Sequence, residues 1–329
     1  MQNRNTAVDI AKFLAAIFVV GIHTRPLSDV FTLADFALTD ILFRTAVPFF
    51  AVCTGFYLSK TIKDKGSLPG VKTASRILLL YIGWSLFYLL ILSFSWYKSG
   101  LMSFDSYVGW SKSFLIGGSY YHLWYLAQLF WALLLFFPII RYVPVKYRLI
   151  LVVFLWMLET FAYVYSDMLG IGRGFVRLYN RFGAVTGSLG RMLPLLLTGN
   201  LIAGNSEYDR KNVIIGCCFC FVGLIAEVFL LRHFGAERFS YVLFTLPLAF
   251  FLFILIKSAT IQLNFNSRIL SKSGMNIYLL HPAVLFFLKE LNLTDHMGLF
   301  CLCVFLTSVI CIAFAYITPF IPSNNSVIR

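Results

Sequence analysis

Charge is scarce in this sequence: only 12% of its residues are Asp, Glu, Lys or Arg, and 14 of its 329 residues are acidic. Soluble domains carry about 25% charged residues, so an ordinary water-soluble enzyme is excluded. No Gly/Ser-rich or Pro-rich stretch is long enough to act as a linker between domains, and no internal repeat or low-complexity tract occurs. The economical organisation is a single membrane domain over residues 1–329. Also missing in usable context are the P-loop, the dinucleotide fingerprint and the nucleophile elbow, which removes the soluble folds built on them. The five histidines are scattered without a ligand spacing, so no metal site is expected. The seven cysteines (Cys53, Cys217, Cys218, Cys220, Cys301, Cys303 and Cys311) fall in or near apolar segments and read as small buried hydrophobes with free thiols.

What is present is apolar surface: 60% of residues are hydrophobic and the mean hydropathy is +0.83. Windows of about 17 to 25 apolar residues mark membrane helices. They give ten candidates, near 7–24, 36–59, 76–96, 122–140, 148–166, 190–204, 212–231, 240–257, 274–290 and 297–318. No cleavable signal peptide is expected, because Asp9 and Lys12 sit inside the first run. The net charge of +13 resides mostly in short loops, where it sets topology and does not indicate nucleic acid. With the N terminus inside, the clusters Lys60–Lys65, Lys72–Arg76, Arg141–Arg148 and Arg210–Lys211 all become cytoplasmic. The expected fold class is therefore an all-α integral membrane protein, a polytopic bundle of about ten transmembrane helices with both termini cytoplasmic.

One loop resists that rule. Around 166–190 it holds Asp167, Arg173, Arg177 and Arg181, with Arg191 beyond, the first three arginines at intervals of four. It is either a solvated surface loop or an outer-face grip for oxyanions through Arg173 and Arg177, since the guanidinium fork suits them.

Ionisable residues inside spans are costly and face a bundle interior or a wet cavity. Asp9, Lys12, His23, Arg44, His122, Glu159, Glu227 and His281 are of this kind, which implies an internal polar chamber. Asp9 and Lys12, three apart, can pair on one helix face, a purely structural possibility. Lys12 and His23 are eleven residues apart, about 16 Å along a helix and close to three turns. His23 is either an interfacial histidine wetted from outside or a general base, since imidazole titrates near neutral pH. In Arg44-Thr-Ala-Val-Pro48-Phe-Phe, Pro48 should kink or open the helix. Trp124 and Tyr125 read as aromatic-belt anchors, and His122 and His281 as core histidines or chamber residues.

These motifs together resemble the membrane-bound acyltransferase family 3. Asp9-x-x-Lys12 followed by His23 is similar to that family's first-helix signature, with Lys12 where arginine is commoner. Arg44-x-Ala-Val-Pro48-Phe-Phe followed by Thr54-Gly55-Phe56 resembles its second-helix motif, with Thr54 at a position usually serine. The basic run ending in Arg76, His122-Leu-Trp124-Tyr125-Leu, and Ile277-Tyr278-Leu-Leu-His281-Pro282 match in family order.

The resemblance implies a membrane-embedded O-acyltransferase of the bacterial cytoplasmic membrane. It would move an acyl group, acetyl in the usual case, from cytosolic acyl-CoA (acetyl-CoA) to a hydroxyl of an envelope glycan or lipid-linked sugar. It further implies His23 and Asp9 as catalytic residues, Lys12, Arg76 and Arg44 at the donor, and Thr54, His122, Trp124, Tyr125, His281, Arg173 and Arg177 at the acceptor. No metal is implied. The expected partners are the lipid bilayer and the acceptor glycan, with a homo-oligomer compatible and nucleic acid excluded. The Arg44–Gly55 and His122–Tyr125 motifs are also similar to the membrane domain of vancomycin-resistance serine racemases. That alternative implies serine uptake or presentation without acyl transfer; the short tail after the last span favours a free-standing acyltransferase.

Overall fold

In the computed structural model, residues 5–66, 68–166, 187–205, 207–236 and 238–317 are described. Every regular element among them is a helix. The first is α1, Thr6–Thr24, and the second, α2, Thr32–Phe36, runs on through a π-helical turn, Ala37–Leu42, and a 3₁₀ turn, Phe43–Thr45, into α3, Ala46–Lys65. There follow α4 (Leu68–Lys98), α5 (Phe104–Ile116), α6 (Trp124–Tyr142) and α7 (Val145–Glu159), which ends in a π turn, Thr160–Val164. A π turn, Ser188–Met192, leads into α8 (Leu193–Gly204). The chain closes with α9 (Arg210–His233), α10 (Thr245–Ser258), α11 (Arg268–Glu290) and α12 (His296–Ile317).

A helix stands at each of the ten expected positions, and among the described residues seven helical stretches are long and apolar enough to cross a membrane. The other three explain themselves. Helix α10 is apolar but only 14 residues long, because the chain before it turns at Tyr241, whose φ of 62° cannot continue a helix. The α8 stretch opens on a π turn, and α11 is long but carries Arg268, Lys272, Asn276 and His281. Helix α5, with Ser103 as its N-cap, lies outside the expected spans.

Two compact units are seen. Unit 1 comprises residues 1–50, 208–228 and 247–329; unit 2 comprises 51–207 and 229–246. In unit 1, Ala16 and Val20 of α1 pack with Ile277, Leu285 and Leu288 of α11 and with Leu299 and Cys303 of α12. Small residues let the backbones approach, as is usual between membrane helices. A Cβ on Gly274 would lie 3.0 Å from the Lys12 carbonyl. The two helices run parallel, since Asp9 meets Ser267 at their starts and His23 meets His281 farther along.

In unit 2 the same device joins α3 to α8. A side chain on Gly55 would collide with the Leu196 carbonyl, and one on Gly199 with the Val52 carbonyl. All seven cysteines are free thiols, and Cys53, Cys220, Cys303 and Cys311 are buried.

Candidate active site

The last turn of α1 is where unit 1 concentrates its polar groups. Asn5 caps the start of this helix by accepting from Val8 N–H at 3.0 Å. Arg25, in a left-handed conformation, ends it by donating its N–H to the Gly21 carbonyl. His296 at the head of α12 donates from Nδ1 to the Thr24 carbonyl at 2.7 Å, satisfying one of the orphan acceptors of the helix end. His23 is thus carried on a helix end pinned by both its own cap and another helix.

The half-buried His23 ring stacks on that of His281, with centroids 5.3 Å apart and planes 23° from parallel. His281 is fully buried. Its Nδ1 lies 2.9 Å from the Tyr278 carbonyl and 3.1 Å from that of Ile277. A carbonyl only accepts, so Nδ1 carries the proton, and the neutral ring presents Nε2 as an acceptor. Arg44 and Lys289 are the cations in electrostatic reach of His23.

Arg44 belongs to a charged network. Its Nη2 donates to Asp40 Oδ1 at 3.0 Å, one helical turn away. Asp40 Oδ2 accepts from Arg25 Nη2 at 2.9 Å, and the same nitrogen reaches Asp35 Oδ2 at 2.9 Å. Asp35 Oδ1 in turn accepts from the Leu27 N–H and the Thr39 hydroxyl. Both carboxylates are buried, at 1% and 5% exposure. Burial alone disfavours the Arg25 charge, but Asp40 and Asp35 outweigh it and hold the guanidinium above its ordinary pKa. The irregular π and 3₁₀ turns between Ala37 and Thr45 bring Asp35, Asp40 and Arg44 to one face. Pro48 accounts for that irregularity: it has no N–H for the Arg44 carbonyl, and the helix loosens on its N-terminal side.

Of the expected site residues, unit 1 holds Asp9, Lys12, His23, Arg44 and His281. Asp9 is buried at the start of α1 and accepts from the Ser267 hydroxyl at 2.7 Å. It lies fourteen residues, about 21 Å, from His23 along the helix, so the two do not meet. Lys12 is half-buried. Arg25, Asp35 and Asp40 do not stand out in the sequence; the i,i+4 spacing of Asp40 and Arg44 is the one signal there that points to them.

Unit 2 holds Thr54, Arg76, His122, Trp124 and Tyr125. Tyr125 is buried and hydrogen-bonded with the Thr54 side chain, so it is a core residue and not a belt anchor. Trp124 makes edge contacts with Tyr125 and Tyr241. His122 is buried edge-on against Tyr88 and Tyr120, which themselves stack at 4.4 Å; burial raises the pKa of the Tyr120 phenol. Arg76 is half-buried on α4.

Arg191, expected near the outer loop, is instead interior. It pairs with the fully buried Glu159 and lies over the rings of Tyr163 and Tyr241 at 4.0 and 5.2 Å. Arg173 and Arg177 lie outside the described residues.

Comparison with known proteins agrees with the resemblance read from the motifs. A family model described as an acyltransferase domain matches residues 5–316. An amino-acid racemase of Enterococcus faecalis is 32% identical over 127 residues, 38% of this chain and 18% of the relative. A serine/alanine racemase of Enterococcus gallinarum is 30% identical over 151 residues, 44% of this chain and 21% of the relative. A second E. faecalis amino-acid racemase is 25% identical over 246 residues, covering 71% of this chain. The matches span between 18% and 33% of the curated relatives' length. No solved structure matches.

Proposed function

The chain belongs to this acyltransferase family, and on that premise we propose that it is a membrane-embedded O-acyltransferase of the bacterial cytoplasmic membrane. It crosses the bilayer ten times with both termini in the cytoplasm. The donor is a cytosolic acyl-CoA, acetyl-CoA in the first instance, and the acceptor is a hydroxyl of an envelope glycan or lipid-linked sugar. The observation that carries the reading is the stacked His23–His281 pair beside Arg44.

His23 is the general base. It takes the proton of the acceptor hydroxyl as the oxygen attacks the thioester carbonyl, and returns it to the leaving thiolate as the C–S bond breaks. His281, its tautomer held by two backbone carbonyls, positions the His23 ring. Negative charge develops on the carbonyl oxygen during attack, and Arg44 is the cation placed to stabilise it. Asp40 spends its other oxygen on Arg25, so Arg44 keeps some of its positive field. Lys12 and Arg76 meet the donor, Asp9 fixes the cytoplasmic end of α1, and Thr54, His122, Trp124 and Tyr125, with Arg173 and Arg177, serve the acceptor.

The test is transfer of label from radiolabelled acetyl-CoA into envelope glycan by membranes carrying the chain. His23→Ala should abolish it; unchanged transfer would remove His23 from the mechanism.

A second reading starts from the relatives named as amino-acid and serine/alanine racemases: the chain would present or take up serine, without acyl transfer. Arg44 would then clamp the substrate carboxylate. Saturable serine uptake in the absence of acetyl-CoA binding would support it over the first.

A further inference from the structure

None of the residues given a role above lines the cavity found in unit 2. It has a volume of about 790 Å³, within the range of roughly 300–1,000 Å³ typical of small-molecule sites. Four of its lining side chains are cationic, Lys60 and Lys63 from α3, Arg141 from α6 and Arg148 from α7, and among the described residues no carboxylate lines it.

Arg148 is fixed in place. Its Nε donates to the Val143 carbonyl, its Nη2 to the Ile140 carbonyl and its Nη1 to Asn200 Oδ1, all at 2.7–2.8 Å. Asn200 donates onward to Ser59 Oγ at 3.0 Å. All these acceptors are neutral. Lys60 lies over the Phe56 ring and Arg141 over the Tyr142 ring, and none of the four cations joins an ion pair among the described residues.

The preference for basic residues in cytoplasmic loops accounts for their abundance. It does not account for a guanidinium braced by an Asn–Ser relay in the wall of a concave site. Four uncompensated charges around one hollow repel one another, and an anion with more than one charge relieves that repulsion.

We propose that this cavity is a phosphate-binding site. Two sources carry the chemistry. One is the phosphorylated nucleotide end of a coenzyme A thioester, in which case the inference rests on the acyl-transfer reading. The other is the headgroup of an anionic phospholipid, abundant on the cytoplasmic leaflet.

The experiment uses the full chain in phosphatidylcholine nanodiscs. Binding of radiolabelled adenosine 3′,5′-bisphosphate is measured for wild type, Lys63→Gln, Arg141→Gln and the double variant. A second arm counts phosphatidylglycerol molecules retained by each protein in native mass spectrometry. Lys112→Gln, exposed on α5 and more than about twenty residues in sequence from any residue of the cavity lining, is the control, and thermal melts check that the variants fold.

Each single change should weaken the true ligand about tenfold, as expected for one charge-assisted contact, with the double variant losing it and the control unaffected. The arm that responds names the source. Wild-type binding of both probes by the folded double variant, or saturable binding of neither probe to wild type, overturns the proposal. Neither probe is an acyl thioester, so binding is read without any acyl transfer, and failure of acyl transfer and failure of this site are separate results.

Discussion

His281 reaches no solvent and gives its Nδ1 proton to two backbone carbonyls, so the ring it stacks against is its route to the chemistry. His281→Asn should therefore lower kcat by about 10- to 100-fold through misplacement of His23, with little change in KM for the acyl donor. The pH profile of kcat should also move, a shift that simple loss of stability would not produce. Asp40 tests the neighbouring network. Asp40→Asn leaves Arg25 and Arg44 without the carboxylate that both use. Because those arginines are 42% and 35% exposed, solvent softens the loss to roughly 1–3 kcal/mol, read as a lowered melting temperature in detergent. His23 and Arg44 are legible in the sequence because an ionisable residue in an apolar run is conspicuous. Asp35 and Asp40 are not, because they sit where polar and apolar residues mix, at the edge of the second expected span, and their partner Arg25 looks like a loop cation. Only the irregular turns before Pro48 bring these residues together.

Among the elements, the α3–α8 contact is the most sharply defined. Gly55 is the second residue of the Thr54-Gly55 pair, whose threonine the family resemblance assigns to substrate, and the fold gives the pair a packing reason. Thr54 bonds with Tyr125, while Gly55 admits the α8 backbone at Leu196. Gly55→Ala puts a methyl group against a main-chain carbonyl that no rotamer change can move. It should cost about 1–3 kcal/mol as overpacking and show as an early melt or poor yield. Gly83→Ala on α4, where an added Cβ meets nothing within 4 Å, should gain about 0.5–1 kcal/mol from helix propensity. Equal effects at the two sites would contradict the close backbone approach. Helix positions are legible from apolar run length alone. The start of α10 is not, because residues near Tyr241 are apolar enough to extend the window, yet their backbone serves other helices. The Tyr241 and Leu243 carbonyls accept from Thr160 and Trp156, and a residue with positive φ stands between helix and loop.

At the scale of the whole molecule, the family match over residues 5–316 and, among the described residues, seven helical stretches long and apolar enough to cross a membrane make this an integral membrane protein of an acyltransferase family. The ten-crossing arrangement is checked by labelling single cysteines, in a background without the native ones, with a membrane-impermeant maleimide. Cysteines at Lys146 and Asp209 should react only from the cytoplasmic side, and those at Ser99 and Asn292 only from the other. A pair labelled from the wrong side would remove a crossing between them. The role proposed for His23 is to drive acyl transfer from a cytosolic donor to an acceptor beyond the membrane. Its most direct measurement uses inside-out vesicles that contain envelope glycan, supplied with radiolabelled acetyl-CoA on the exposed cytoplasmic face, comparing wild type with His23→Ala. The expected result is glycan-bound label inside wild-type vesicles and a loss of at least about 100-fold in the variant. Equal label in the two, in protein shown to be folded and present in equal amounts, would contradict it.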